Sequence, residues 1–218
     1  MSGAAELRLP TEAEMYQALC ERHGAQMQRK FSEGAVAVCG LGGLGSNIAV
    51  SLARAGVGRL LLLDFDRVDL SNLNRQQYFP DQLGMPKAEA LSDTLHRIAP
   101  YCRIESQTVR LSEENIPVLL RDYPVICEAF DRADQKAMLV NTVLTALPEA
   151  VLIAGSGMAG LGSPNKIRTR KTSEHFYLCG DGESDSAKGL GLISARVAVC
   201  AAHQATVALQ VLAGRIDI

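Results

Sequence analysis

Residues 35–46 read Ala35-Val-Ala-Val-Cys39-Gly40-Leu-Gly42-Gly43-Leu-Gly45-Ser46, and the fold class follows from them. Residues 35–39 are a short apolar run of the kind that a strand buried on both faces presents. Gly40, Gly42 and Gly45 follow at once as Gly-x-Gly-x-x-Gly, and a helical pattern runs over residues 46–55 with Gly56 as its C-cap. Residues 59–63 form a second apolar run that ends on Asp64, 19 residues after Gly45. Strand, glycine turn, helix and a second strand closed by an acid make a nucleotide-binding fingerprint. The glycines permit a tight turn and close backbone approach, a phosphate rests on the helix N-terminus, and the acid accepts hydrogen bonds from ribose hydroxyls. By itself this pattern most often marks NAD or FAD and leaves the nucleotide open.

Outward from this unit the alternation continues. Helical patterns cover residues 86–98, 112–121 and 133–147, and strand patterns cover 103–108, 125–129 and 151–154. Strands alternating with helices imply βαβ units and a parallel sheet. Residues 166–171 and 174–178 read as two exposed strands, expected as antiparallel additions at one end of the sheet. Residues 179–189 are rich in Gly, Asp and Ser and are expected to form a mobile loop. A long small-residue helix over 192–212 stops at Gly214. Upstream, Thr11 and Glu14 have capping-box spacing and open a helical arm that ends before residue 34. The expectation is one α/β domain over residues 1–218, with a helical arm (1–33) and a Rossmann-like core (34–218). Its parallel nucleotide-binding half is followed by antiparallel strands, with helices on both faces.

Composition narrows the function classes. The chain has 218 residues, 47% hydrophobic and 21% charged, which is ordinary globular usage and enough to bury a sizeable core. Net charge is −2 without a basic block, which weighs against nucleic-acid binding through a basic surface. The six cysteines, at 20, 39, 102, 127, 179 and 200, include no Cys-x-x-Cys pair, so zinc-knuckle spacing is absent. Residues 1–20 have no apolar leader-like run and no 18 consecutive residues are apolar. A cytoplasmic chain with reduced thiols and no membrane association is expected.

The polar stretch after the second strand argues for a triphosphate over a dinucleotide. It places Asn72 and Arg75 where phosphates would extend from the ribose, and Lys87 adds a cation at the start of the next helix. Asp131 lies just past the strand at 125–129, at a carboxyl strand end, where open α/β sheets place ligands; facing cationic groups it suits Mg²⁺. An NAD-dependent oxidoreductase built on the same loop leaves Arg75, Lys87 and Asp131 without work.

Gly40-Leu-Gly-Gly-Leu-Gly-Ser46, Asp64-Phe-Asp66, Ser71-Asn-Leu-Asn-Arg-Gln76, Lys87 and Asp131 together resemble the ThiF/MoeB family, relatives of the ubiquitin-activating enzymes. The resemblance spans roughly residues 29–212, and the short length and missing zinc cysteines are most similar to its compact ThiF-type sulfur-carrier adenylyltransferases. It implies binding of ATP with Mg²⁺ and adenylation of the C-terminal glycine carboxylate of a ThiS-like, ubiquitin-like sulfur carrier. Pyrophosphate is released, and the pathway implied is thiamine thiazole synthesis. The resemblance also implies the residue roles. Gly40, Gly42, Gly43 and Gly45 lie against the nucleotide, Asp64 holds the ribose and Asp66 lies near the phosphates. Asn72, Arg75 and Lys87 neutralise the departing pyrophosphate, and Asp131 orients Mg²⁺. A carboxylate nucleophile is already ionised, so charge neutralisation and in-line positioning matter more than a general base.

Relatives often supply an arginine in trans from the arm of a partner subunit. Arg22, ahead of Arg29, is the candidate here, which implies a homodimer. Lys136 stands where many relatives have arginine, keeping the charge and losing the planar fork. Cys179 falls where some relatives carry a cysteine that links covalently to the activated carrier. Other acceptors stay open: a MoaD-type carrier, a tRNA base or a peptide.

Overall fold

Residues 8–184 and 190–217 are described in the computed structural model. The arm consists of α1 (Glu12–His23) and α2 (Ala25–Ser32), separated at Gly24, whose φ of +90° suits glycine. Its start is the expected capping box: Thr11 Oγ1 accepts the Glu14 N–H, and Glu14 Oε2 accepts the Thr11 N–H at 2.7 Å. α1 buries no residue, whereas α2 seats Phe31 and Gln28 on the core.

The core alternates β1 (Ala35–Cys39), α3 (Gly43–Arg54), β2 (Arg59–Asp64), α4 (Lys87–Ile98), β3 (Arg103–Thr108), α5 (Ile116–Leu120), β4 (Val125–Glu128), α6 (Ala133–Ala146) and β5 (Val151–Gly155). β6 (Arg168–Ser173), β7 (Phe176–Gly180) and α7 (Ser194–Ala213) complete it. The seven strands form one sheet in the order β3-β2-β1-β4-β5-β7-β6. Period-two alternation splits the buried strands between two cores. Val36, Val38, Leu60, Leu62, Val125 and Cys127 face α3, α4 and α7, while Ala37, Cys39, Leu61, Leu63 and Ile126 face α5 and α6. Both faces are covered, which is why these strands read as continuous apolar runs.

Four expectations are corrected. α3 starts at Gly43, inside the glycine run, three residues before the helix read from sequence. The helix expected over 112–121 shrinks to α5, because Asn115 Oδ1 accepts the Ser112 N–H at 2.9 Å in a turn and Pro117 admits only a first-turn position. β6 and β7 lie two residues later than expected, since Pro164–Lys166 forms a 3₁₀ turn capped by Ser163. Only β6 is antiparallel: β7 pairs parallel with β5. A tight hairpin makes β6 and β7 antiparallel to one another, and the more apolar Phe176–Gly180 takes the inner place. Arg168–Ser173, rich in charge, is left as the sheet edge.

α7 ends at Gly214 in the left-handed conformation (φ +65°). It is long and apolar enough to span a membrane by composition, yet here Val197, Cys200, Ala201, Ala205 and Ala208 are buried in the first core.

Candidate functional site

The chain runs from β1 to β2 and β3 on one side and returns through β4 and β5 on the other, so a crevice opens between the carboxyl ends of β1 and β4. It is a cavity of about 720 Å³. Gly40 turns into it with φ +89°, and a Cβ at Gly45 would stand 1.8 Å from the Gly40 carbonyl oxygen, so helix and loop pack backbone to backbone. The N-cap of α3, Gly42, makes no side-chain cap bond, which leaves first-turn N–H groups directed at the crevice.

Asp64 latches the loop to the second strand. Its Oδ2 accepts the Leu41 N–H at 2.6 Å and its Oδ1 the Asp66 N–H at 2.8 Å. Each oxygen keeps a second lone pair. Burial pushes this carboxyl up, opposed by those two N–H groups and by Lys87. Tyr78 adds a second latch through its hydroxyl to the Leu41 carbonyl at 2.8 Å.

Cations gather on the next wall. Lys87, only 6% exposed at the start of α4, meets Asp66 Oδ2 at 3.1 Å. Arg75 donates through Nη1 to the Ser71 carbonyl (3.0 Å) and Asn74 Oδ1 (2.8 Å), while its Nε is buried without a partner. That orphan donor beside the helix N-terminus suits an anionic ligand. The Arg75 loop is fastened to α3: Asn47 Nδ2 donates to the Arg75 carbonyl at 3.1 Å and the Gln77 N–H to Ser46 Oγ at 3.1 Å. Asn72 ends a 3₁₀ turn in which its Oδ1 accepts the Asp69 N–H.

Asp131 is exposed in the loop between β4 and α6, and its neighbour Arg132, which also lines the cavity, pairs with Asp134 at 2.7 Å. Among the described residues no group of three or more His, Cys, Asp or Glu is placed to hold a metal. Asp131 and Asp66 line the same cavity, a donor set that fits Mg²⁺ shared with phosphates better than a protein cage.

Gly40, Gly42, Gly43, Asp64, Asp66, Asn72, Arg75, Lys87 and Asp131 are thus brought together around one cavity. Gly45 supports it from behind. Arg22 is exposed on α1 and does not line the cavity of its own chain. Cys179 is corrected: it lies in β7, fully buried, with Sγ 3.6 Å from Thr169 Oγ1. Burial pushes its thiol up to about 11. The register of the hairpin, set by apolar 176–179, carries it into the sheet and away from a loop; residues 185–189 of that expected loop lie outside the described residues.

The structure also adds residues that the sequence reading missed. Phe65 and Arg110 stack at 4.3 Å on the wall beyond Asp64, the arginine coming from the segment after β3 with no motif to mark it. Glu128, fully buried at the end of β4, pairs with Lys136 of α6 and accepts the Phe130 N–H at 2.7 Å, stapling both ends of the Asp131 loop. An acid ending an apolar strand was the available signal. Gly155, Ser156, Gly157 and Ala159 line a second arm of the cavity beyond β4.

A family model described as the ThiF family matches residues 16–218. The molybdopterin-synthase adenylyltransferase of Salmonella typhimurium is 35% identical over 153 residues, 70% of this chain and 60% of that protein. The sulfur carrier protein adenylyltransferase of Thermus thermophilus is 37% identical over 125 residues, 57% of this chain and 46% of that protein. The chain therefore aligns with only about half of the length of these relatives. Among solved structures, the Escherichia coli tRNA N6-threonylcarbamoyladenosine dehydratase in complex with ATP superposes with a TM-score of 0.83 at 22% identity. The match covers 94% of this chain and 97% of that one, a likeness of fold.

Proposed function

This chain belongs to the ThiF family, and from that premise we propose that it is an ATP-dependent adenylyltransferase acting on the C-terminal glycine carboxylate of a ThiS-like, ubiquitin-like sulfur carrier in thiamine thiazole synthesis. The observation that carries the reading is the convergence of Arg75, Lys87 and Asn72 on the uncapped N-terminus of α3, in a cavity that no histidine lines among the described residues. Such a set neutralises charge and does not move protons, which suits an ionised carboxylate attacking a phosphorus.

In this reading the N–H groups of α3 and Asn72 receive phosphate oxygens, Asp64 receives the ribose hydroxyls, and Phe65 with Arg110 offers a flat wall for a purine. The carboxylate oxygen bonds to the α-phosphorus as the bond from that phosphorus to the bridging oxygen of pyrophosphate breaks. Arg75 and Lys87 offset the charge that accumulates on the departing pyrophosphate. Asp131, with Asp66 lining the same cavity, would hold a Mg²⁺ ion that accompanies ATP, and that ion would supply further neutralisation of the phosphate charge. Arg22 supplies a further cation in trans within a homodimer, and the enzyme works in the cytoplasm.

The test is carrier-dependent exchange of labelled pyrophosphate into ATP with Mg²⁺, comparing ThiS-like and MoaD-like carriers. Exchange with the ThiS-like carrier alone, lost in Arg75→Ala and Asp131→Ala, supports the proposal. Exchange with the MoaD-like carrier alone replaces the pathway, ATP binding with neither carrier active moves the acceptor to a tRNA base or peptide, and no ATP binding overturns the nucleotide reading.

A further inference from the structure

The second arm of the cavity is held by one buried ion pair. Arg196, in the first turn of α7, meets Asp181 Oδ2 at 2.5 Å through Nη2, and the two side chains are 6% and 5% exposed. Its Nη1 donates to the carbonyls of Gly162 (2.5 Å) and Ser163 (2.7 Å). Asp181 Oδ1 accepts the N–H groups of Glu183 (2.9 Å) and Ser184 (2.8 Å). The two segments so gathered also bond to each other: the Asp181 N–H donates to the Gly157 carbonyl at 2.9 Å, and the Ala159 N–H donates to Ser184 Oγ at 2.9 Å. Gly157, Ala159 and Ser184 line the second arm, whereas Arg196 and Asp181 stand behind it and do not.

A buried ion pair costs desolvation that an apolar pair of the same volume avoids, so stability alone is a poor account of it. The Arg196 Nε is moreover buried without a partner. What the guanidinium fork supplies is geometry: two main-chain carbonyls and a carboxylate are fixed at once, which a lysine cannot reproduce. Apart from Met158, the cavity-lining residues of the segments it gathers are small (Gly157, Ala159 and Ser184), so the arm suits an extended, slender chain end leading toward the phosphates.

We propose that Arg196, through Asp181, is a positioning residue for the arm that receives the carboxylate substrate, setting the affinity for that substrate and not for ATP. This deepens the adenylyltransferase reading and rests on it. The segments that the pair gathers border the cavity near the ends of β5 and β7, with β1 and β4 between them and Asp64. The glycine loop, Asp64, Arg75 and Lys87 are fastened by other bonds, and Asn74 Nδ2 donates to the Leu192 carbonyl at 3.0 Å between the two regions.

The test uses the full chain carrying Arg196→Met and, as the milder variant, Arg196→Lys. ATP affinity is measured by titration calorimetry, and the KM for carrier by pyrophosphate exchange. Arg196→Met should raise the KM for carrier about tenfold, the equivalent of about 1.4 kcal/mol, with ATP affinity held within about twofold. Arg196→Lys, which keeps one contact of the fork, should fall between. Amide hydrogen exchange on both variants should rise over 156–163 and 181–184 and stay unchanged over 40–46. Equal loss of ATP and carrier affinity, or unaltered carrier KM in a folded variant, overturns the proposal. If the wild-type chain supports pyrophosphate exchange with neither the ThiS-like nor the MoaD-like carrier, the sulfur-carrier reading on which this rests fails. The positioning role is then judged by the hydrogen-exchange contrast alone, and uniform protection in Arg196→Lys refutes it.

Discussion

Replacing Lys136 with methionine should destabilise this protein in a pH-dependent way, because it leaves the carboxylate of Glu128 buried without a counter-charge. Glu128 is fully buried, whereas Lys136 is about a quarter exposed at 26% of its side-chain surface. Breaking a buried pair from the side that strands a charge costs about 3–5 kcal/mol, and the partial exposure of Lys136 places the cost near about 3 kcal/mol at pH 8. For a chain of this size that corresponds to a fall in Tm of about 6–12 °C. In the intact protein burial pushes the Glu128 carboxyl up, opposed by Lys136 and by the Phe130 and Gly155 N–H groups. Removing the ammonium raises it further. A carboxyl with a higher pKa folded than unfolded favours the folded state below the unfolded value, about 4.3, and loses that contribution as pH rises through the folded value. The deficit of Lys136→Met relative to wild type should therefore shrink from pH 8 to pH 5. Glu128→Gln, which leaves Lys136 able to reach water and keeps an acceptor for the Phe130 N–H, should cost only about 1 kcal/mol. Adding Lys136→Met to it should cost little more. The chain has no tryptophan, so thermal and urea unfolding are followed by circular dichroism. A Lys136→Met deficit equal to that of Glu128→Gln, or one constant between pH 5 and 8, would refute the reasoning.

Further outcomes follow from the glycine loop and from the burial of Cys179. Gly45→Ala drives a Cβ to 1.8 Å from the Gly40 carbonyl oxygen, where only backbone can yield, and should cost about 3 kcal/mol or more; Gly42→Ala meets nothing nearer than Gln76 Nε2 at 3.8 Å and should fold normally while weakening ATP binding, both read by thermal unfolding and calorimetry. Cys179 should react with iodoacetamide at pH 8 more slowly than the half-buried Cys20, as seen by peptide mass mapping, and Cys179→Ser should leave both adenylation and sulfur transfer intact.

The parts of the fold that the sequence discloses are those fixed by local chemistry. The β1–α3–β2 unit was readable because glycine spacing, an apolar run and a terminal acid are all short-range signals, and the Thr11–Glu14 box and the Gly214 stop are local in the same way. The start of α3 was misplaced because glycines at 43 and 45 are poor helix formers, and only packing against β1 and α7 makes them helical. The direction of β7 was not readable because pairing with β5 or with β6 depends on which hairpin strand goes inside, a tertiary choice. Cys179 was misassigned for that reason: a glycine on its C-terminal side resembles a loop until the strand register is known. That Asn72, Arg75, Lys87 and Asp131 share one cavity is legible from motif order, while the presence of Arg110 there is not, since it stacks on Phe65 across a gap of 45 residues that no spacing rule connects.

The latch at Asp64 determines how the site can be dissected. Its carboxylate serves the fold by holding the Leu41 and Asp66 N–H groups and also lines the cavity, so on the proposed reading any substitution there would perturb the glycine loop and nucleotide binding together. Arg75 and Lys87 are different. Arg75 rests its Nη1 on a neighbouring carbonyl and side-chain amide with Nε unsatisfied, and Lys87 is held by a single half-exposed carboxylate. Neither guanidinium nor ammonium closes a contact between strands. A phosphate therefore competes only with weak local partners for these cations, and little reorganisation is needed when negative charge arrives, which is the condition under which fixed charges stabilise a transition state most. The frame is rigid where main-chain bonds hold it, and the charges that would meet the nucleotide are left replaceable in their pairing.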